Sequence, residues 1–196
     1  NAIVGFSNLL AEDDVNEEEK QQYVDIINQS NSSLLRLIDD VLDVSLIEAN
    51  QMKIKQQEFD VNKLFENLYA AYLKVLQEKH KKQLKLEVQI PNTHYFITSD
   101  ASRINQLMIN LLDNAIKFTH KGGIVFGFKK VTGGLHFFVT DTGIGIPHQY
   151  QKALFERFFK IEENKEELYR GTGIGLYLCK KIVELMGGRI WFTSEV

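Results

Sequence analysis

Hydrophobic positions along this chain switch between helical and strand spacing in blocks that read as separate elements. The first eleven residues, NAIVGFSNLLA, place Ile3, Phe6 and Leu10 three and four apart with no capping residue ahead of them, so the pattern begins inside a helix. After the turn EDDVN, the positions Tyr23, Ile27, Ser30, Leu34, Leu37, Val41 and Val44 alternate steps of four and three, which predicts one helix from Glu17 to about Asn50. At 1.5 Å per residue that helix is on the order of 50 Å long, far longer than its partner. A hairpin of these two helices covers only part of its apolar seam. Pairing with a second copy into a four-helix bundle would cover the rest, and packing on the chain's own remaining domain is the alternative.

Beyond residue 50 the elements shorten. Met52 to Phe59 alternates weakly and reads as an edge strand, after which Asp60 caps a helix from Val61 to about His80 with Leu64, Leu68, Tyr72, Val75 and Leu76 inward. The basic run Lys79 to Lys82 ends this helix at its negative pole and reads as a solvated terminus. Leu84 to Ile90 is a two-residue alternation stopped by Pro91. Tyr95 to Ile97 is a short strand, and Asp100 caps a helix that runs through Asn110 to Thr119. Ile124 to Val131 and Leu135 to Thr140 form a hairpin about Thr132-Gly133-Gly134. A further helix follows residue 147, then a polar stretch from Glu162 to Glu167 without period. The last helix, about Ile174 to Met186, ends at Gly187-Gly188, and Arg189 to Thr193 reads as a strand. The whole is α+β, a two-layer sandwich with helices on one face of a mixed sheet, preceded by an antiparallel helical hairpin.

Composition narrows the partners. Among 196 residues, 44% hydrophobic and 25% charged, a net charge of -3 gives no electrostatic reason to expect nucleic acid. One cysteine, Cys179, has no second thiol to pair with and falls on the apolar side of its helix, so packing is its expected role. No apolar run approaches the roughly 20 residues that cross a bilayer, and no signal-like start is visible, so a soluble piece is expected.

The chemistry concentrates in three places. In NLLDNAIKFT, residues 110–119, helical spacing puts Leu111, Leu112, Ala115, Ile116 and Phe118 on one side and Asn110, Asn114 and Lys117 on the other. Two carboxamides and an ammonium suit a phosphate chain carrying a hard cation, because an amide oxygen ligates the metal and a lysine neutralises phosphate oxygen. An amide-rich solvated face fits the same ten residues. Asp141 follows the apolar run LHFFVT, so its carboxylate should stand partly buried at a strand end, where it can accept from an exocyclic amine such as that of adenine. Gly143 and Gly145 let the backbone turn close to a flat ring, and an ordinary turn is the alternative. Gly171, Gly173 and Gly175 sit at a helix start, where free amides and the positive pole favour an anion.

Taken in order, the asparagine helix, DTGIGIP at Asp141, FERFF from Phe155 to Phe159 and GTGIGL at Gly171 resemble the ATP-binding domain of sensor histidine kinases of two-component systems, within the GHKL superfamily. The resemblance implies Mg2+ and ATP as the ligands, with Asn114 on the metal, Lys117 on phosphate and Asp141 on the adenine amino group. It also places Gly143, Gly145, Lys160, Arg170, Gly171, Thr172, Gly173, Gly175 and Leu176 around the nucleotide. The segment from Pro147 to Gly171 is similar to the family's lid, hinged on Phe155, Phe158 and Phe159, although Phe155 reads better as plain core. Asn110 and Lys117 are expected to be catalytic. Relatives such as type II topoisomerases carry a glutamate base where this chain has Asn110, and an amide cannot take up a proton. Slow hydrolysis is therefore expected, with the γ-phosphate kept for another acceptor.

The resemblance further divides the chain into residues 1–50, a dimerisation hairpin, and 51–196, the ATP-binding catalytic domain. Asn1 to Leu10 look like the residues that follow the family's phosphoacceptor histidine, so the chain is expected to begin just after it. None of the histidines at 80, 94, 120, 136 and 148 falls in the hairpin, and the family's last glycine motif is expected after Val196. Implied partners are a second copy and a response-regulator receiver domain. The implied location is the cytoplasm, with attachment of the parent to an inner membrane left open. Two rivals stand beside this reading: a hydrolysing ATPase of the same superfamily, and a non-catalytic nucleotide-binding dimerisation module.

Overall fold

A computed structural model of the chain describes residues 2–12, 15–78, 83–161 and 172–196, in two compact units divided between Met52 and Lys53. The first is a helical hairpin, α1 (Ala2–Leu9) and α2 (Glu17–Glu48). Helix α2 starts at a capping box: the Asn16 side chain accepts from the Glu19 amide at 2.9 Å, and the Glu19 carboxylate accepts from the Asn16 amide at 3.2 Å. It ends at Asn50, whose left-handed φ of 53° turns the chain back so that the Gln51 and Met52 amides both donate to the Leu46 carbonyl. The Phe6 and Tyr23 rings, 5.4 Å apart, hold α1 on α2.

The second unit contains β1 (Gln57–Asp60), α3 (Val61–Glu78), β2 (Leu84–Gln89), β3 (Phe96–Ser99), α4 (Ala101–Phe118), β4 (Gly122–Val131), β5 (Gly134–Asp141), α5 (His148–Gln151) and α6 (Gly175–Leu185). Strands β1 and β3 pair antiparallel as a separate ribbon. In the main sheet, β4 lies between β2, to which it is parallel, and β5, to which it is antiparallel. The mixed sheet and the α+β class are as the sequence predicts.

One core joins the layers. Val61, Phe65, Leu68, Tyr72 and Leu76 of α3 meet Ile104, Met108, Leu112, Ala115 and Ile116 of α4 over Ile124, Phe126 and Phe128 of β4. Phe65 is its hub, with the rings of Phe126, Phe128 and Phe137 all within 6 Å of its own at 5.9, 5.3 and 5.7 Å. The expected inward set of α3 shifts slightly: Val61 and Phe65 are fully covered, whereas Leu64 and Val75 are only partly so.

Three expected elements differ. Only Gln57–Asp60 of the first strand finds a partner. The helix after residue 147 is a single turn, because the amides of Ala153, Leu154 and Glu156 donate to carbonyls three residues back rather than four. Arg189 to Thr193 forms no ladder among the described residues, and its side chains and flank pack on the rest of the unit. Trp191 lies 4.9 Å from the His136 ring, Phe192 lies 5.8 Å from Phe155, and the Ser194 hydroxyl and carbonyl accept from Ile146 and Gln151. Helix α6 is anchored by Leu178, Cys179 and Ile182, all fully buried, so Cys179 is a packing residue. No helix among the described residues is long and apolar enough to cross a membrane. The Lys79 to Lys82 run lies outside them.

Candidate functional site

Helix α4 is the spine of the site, and its position is fixed at both ends. At its start Asp100 Oδ1 accepts from the Ser102 and Arg103 amides at 3.1 Å each, while Oδ2 accepts from the Lys55 amide at 2.9 Å. Burial works against the charge on Asp100, but hydrogen bonds from the Ser102 side chain and from the Lys55 and Arg103 amides outweigh it and hold the carboxyl below its ordinary range. Farther along, the buried Tyr72 hydroxyl donates to Asp113 at 2.8 Å. With one side of α4 locked into the core, Asn110, Asn114 and Lys117 remain half-buried on another.

Three distant segments come to that helix. Gly175, which opens α6, lies beside Asn110: a methyl group there would sit 3.5 Å from Asn110 Oδ1. The Asn110 Nδ2 is buried and has no hydrogen-bond partner among the described residues, a donor held in reserve at a cost. Among the described residues no side chain caps α6, and the Thr172 hydroxyl just ahead of it accepts from the Ile174 amide at 3.2 Å. Gly173, with φ of 72°, sits where a Cβ would fall 2.8 Å from the Phe158 and Phe159 backbone, and its carbonyl accepts from the Phe158 amide at 3.0 Å. Phe158 itself holds a left-handed φ of 63°, an unusual conformation for a bulky residue.

Lys160 follows two residues later, close enough for its charge to act on Lys117. Burial first, and the neighbouring Lys160 ammonium second, lower the Lys117 pKa from its ordinary value. The half-buried Lys117 and the exposed Lys160 repel each other, and an anion between them would relieve that repulsion. Arg170 and Gly171 lie outside the described residues.

The third segment is the Asp141 turn. Strand β5 is antiparallel to β4, and β4 begins directly after α4, so the register Ile124 with Asp141 returns the end of β5 to the C-terminus of α4. There Asp141 Oδ1 accepts from the Gly143 amide at 2.8 Å, and the Ile144 amide donates to the Phe118 carbonyl at 3.2 Å. Gly143 must be glycine, because a Cβ would lie 2.7 Å from both Asp141 Oδ1 and the Phe118 oxygen. Asp141 is exposed, not partly buried as expected, because it lies one step past the covered inward positions Phe137 and Val139. Gly145 approaches the Glu195 backbone, and Leu176 is half-buried in the first turn of α6. Phe155 packs on Phe192 outside the main core, Phe159 is half-buried near Tyr150, and Phe158 is 59% exposed.

Residues 99–196 match the family described as histidine kinase-, DNA gyrase B-, and HSP90-like ATPase, and residues 1–50 match the His Kinase A (phospho-acceptor) domain. The chain belongs to the sensor histidine kinases. It is 39% identical over 91% of its length to the circadian input-output histidine kinase CikA of Synechococcus elongatus, and 38% identical over 88% to the sensor histidine kinase RcsC of Escherichia coli. The matched regions are 24% and 18% of those proteins, so this chain spans about a quarter or less of their length. Its fold also resembles that of histidine kinase ThkA, solved in complex with response regulator protein TrrA. There the TM-score is 0.64 at 23% identity, covering 95% of this chain and 50% of that one. The match over residues 99–196 is to an ATPase family, which gives ATP as the nucleotide of that region.

For this histidine kinase, the donor set fits a nucleotide that carries a hard cation. The half-buried Asn114 on α4 offers an amide oxygen that could ligate such a cation beside phosphate oxygens. Sequence reasoning passed over two threonines. The Thr142 hydroxyl accepts from the Gly123 amide at 3.0 Å and donates to the Lys121 carbonyl at 3.1 Å, and Thr119 reaches Asp141 at 3.5 Å. Both lie inside motifs already noted, which was the available signal.

Proposed function

We propose that residues 51–196 bind Mg-ATP along α4 and position its γ-phosphoryl group for transfer to an acceptor histidine on a dimerisation bundle, from which it passes to an aspartate on a response-regulator receiver domain; residues 1–50 carry no histidine, so this chain does not phosphorylate its own hairpin. In phosphoryl transfer the protein chiefly positions groups and balances charge, which suits a site of amides, glycines and ammoniums. Asp141 accepts from the adenine amine, Lys117 and Lys160 neutralise phosphate oxygens, and the amides at the start of α6 receive an anion, with Arg170, Gly171 and Thr172 flanking it. Asn114 would hold Mg2+, which when bound supplies charge neutralisation between the phosphates. Asn110 offers its unpaired Nδ2–H as a donor and cannot act as a base toward water. The observation that carries this reading is the meeting of Gly175 and the Asp141 turn, two segments far apart in sequence, along one helix.

Residues 1–50 serve as the dimerisation hairpin. The apolar stripe Leu34, Leu35, Ile38 and Leu42 of α2 is exposed, and a second copy would cover it. A cytoplasmic setting and a receiver-domain partner follow from the same reading; a protein of similar fold, ThkA, was solved in complex with a response regulator. The test supplies a separate dimerisation bundle carrying an acceptor histidine, together with radiolabelled ATP. Phosphate should reach the bundle while release of free phosphate stays slow. Rapid hydrolysis without transfer would favour an ATPase, and neither binding nor transfer would favour a non-catalytic module.

A further inference from the structure

Thr119 is the first residue beyond α4, and it is fully buried at 0% exposure. Its amide closes the helix on the Ala115 carbonyl at 3.0 Å, which fixes where its side chain stands. A buried hydroxyl requires a partner, and among the described residues the partner of this one is Asp141 Oδ1, at a long 3.5 Å. The same oxygen accepts from the Gly143 amide at 2.8 Å. The Gly143 amide thus fastens one oxygen of an exposed carboxylate from the turn, and the Thr119 hydroxyl approaches the same oxygen from inside the fold at the outer limit of hydrogen-bond distance. Oδ2 has no hydrogen-bond partner among the described residues.

We infer that the buried Thr119 hydroxyl, together with the Gly143 amide, orients Asp141 so that its second oxygen selects a base carrying an exocyclic amine. Thr119 is thus a positioning residue for nucleotide specificity, acting through Asp141. The inference rests on the reading of Asp141 as the amine acceptor. A free carboxylate can rotate to meet a water or either face of a base, whereas one with a fastened oxygen presents a single acceptor direction. Selectivity for the amine then depends on a group that never touches the nucleotide.

Calorimetry on the 196-residue chain with Mg2+ separates the two claims, using ATP and purine riboside triphosphate, whose base lacks the amine. The unaltered chain should bind ATP about tenfold or more tightly than the analogue, the effect of one hydrogen bond to a charged acceptor. Thr119→Val, which keeps the shape and removes the hydroxyl, should lower that ratio about threefold or more while leaving analogue binding unchanged, and Thr119→Ser should restore it. If the valine variant does not fold, Thr119→Ala is read in the same way. An unchanged ratio, or equal weakening toward both ligands, would overturn the role of Thr119 while leaving Asp141 in place. No discrimination by the unaltered chain would overturn both.

Discussion

Helices α2 and α3 announce themselves in sequence by the same three-and-four spacing, yet they end in opposite conditions. In α2, 32 residues long, the buried positions are Asp40, Asp43 and Val44, and Leu35 is 63% exposed. In α3, 18 residues long, Val61, Phe65, Leu68, Tyr72 and Leu76 are all buried in a core shared with α4 and β4. Periodicity states that a face needs covering and does not state by what. The carboxylates differ in the same sense. Asp100 in the second unit is surrounded by donors that favour its charge. Burial raises the pKa of Asp40 in α2 above the ordinary value, with Arg36 opposing, so its charge is tolerated rather than favoured.

The largest expected effect breaks the covered half of this contrast. Phe65→Ala empties the ring hub and should lower the stability of the second unit by about 3–5 kcal/mol, measured as a shift in urea unfolding followed by the fluorescence of Trp191. Next comes Asp100→Ala, which strands the first amides of α4 and the Lys55 amide. It should cost on the order of 1–3 kcal/mol in the same assay.

A pH series sharpens the comparison of carboxylates. Because the folded pKa of Asp100 is lowered from 3.8, its stabilisation is present above that value and is lost as pH falls through the folded pKa. Asp100→Asn should therefore be less stable than the parent near neutrality, with the gap closing in acid. Asp40 has the opposite sign: its contribution is most favourable below 3.8 and declines as pH rises through its raised folded pKa. Asp40→Asn should gain stability near neutrality and none in acid. The smallest expected effect on folding is that of Leu35→Ser, within about 0.5 kcal/mol for the single chain. Sedimentation should nevertheless show loss of the dimer proposed for the hairpin.

Much of this arrangement was legible because local rules and global fold agree. The caps Asp60 and Asp100, the alternation of β2 and the glycine-centred hairpin each depend on a few neighbouring residues, and each appears where the spacing places it. The failures are non-local. Arg189 to Thr193 has strand-like residues, but Trp191 and Phe192 spend their packing on His136 and Phe155, and no ladder forms. Asp141 was expected to be partly buried from the strand before it, but its exposure depends on where the covering layer stops. The site followed the same division. Asn110, Asn114 and Lys117 share a helix face by spacing alone, whereas the bond from Thr119 to Asp141 exists only because β5 runs antiparallel to β4 and returns to the end of α4.

The central claim is that one side of α4, with the Asp141 turn and the start of α6, forms a single Mg-ATP site. Calorimetry of the chain with ATP, with and without Mg2+, tests it most directly when repeated on Asn114→Ala and Asp141→Asn. The account predicts heat that requires Mg2+ in the unaltered chain, and binding at least about tenfold weaker in each variant. Binding indifferent to Mg2+, or equal affinity in all three proteins, would contradict it.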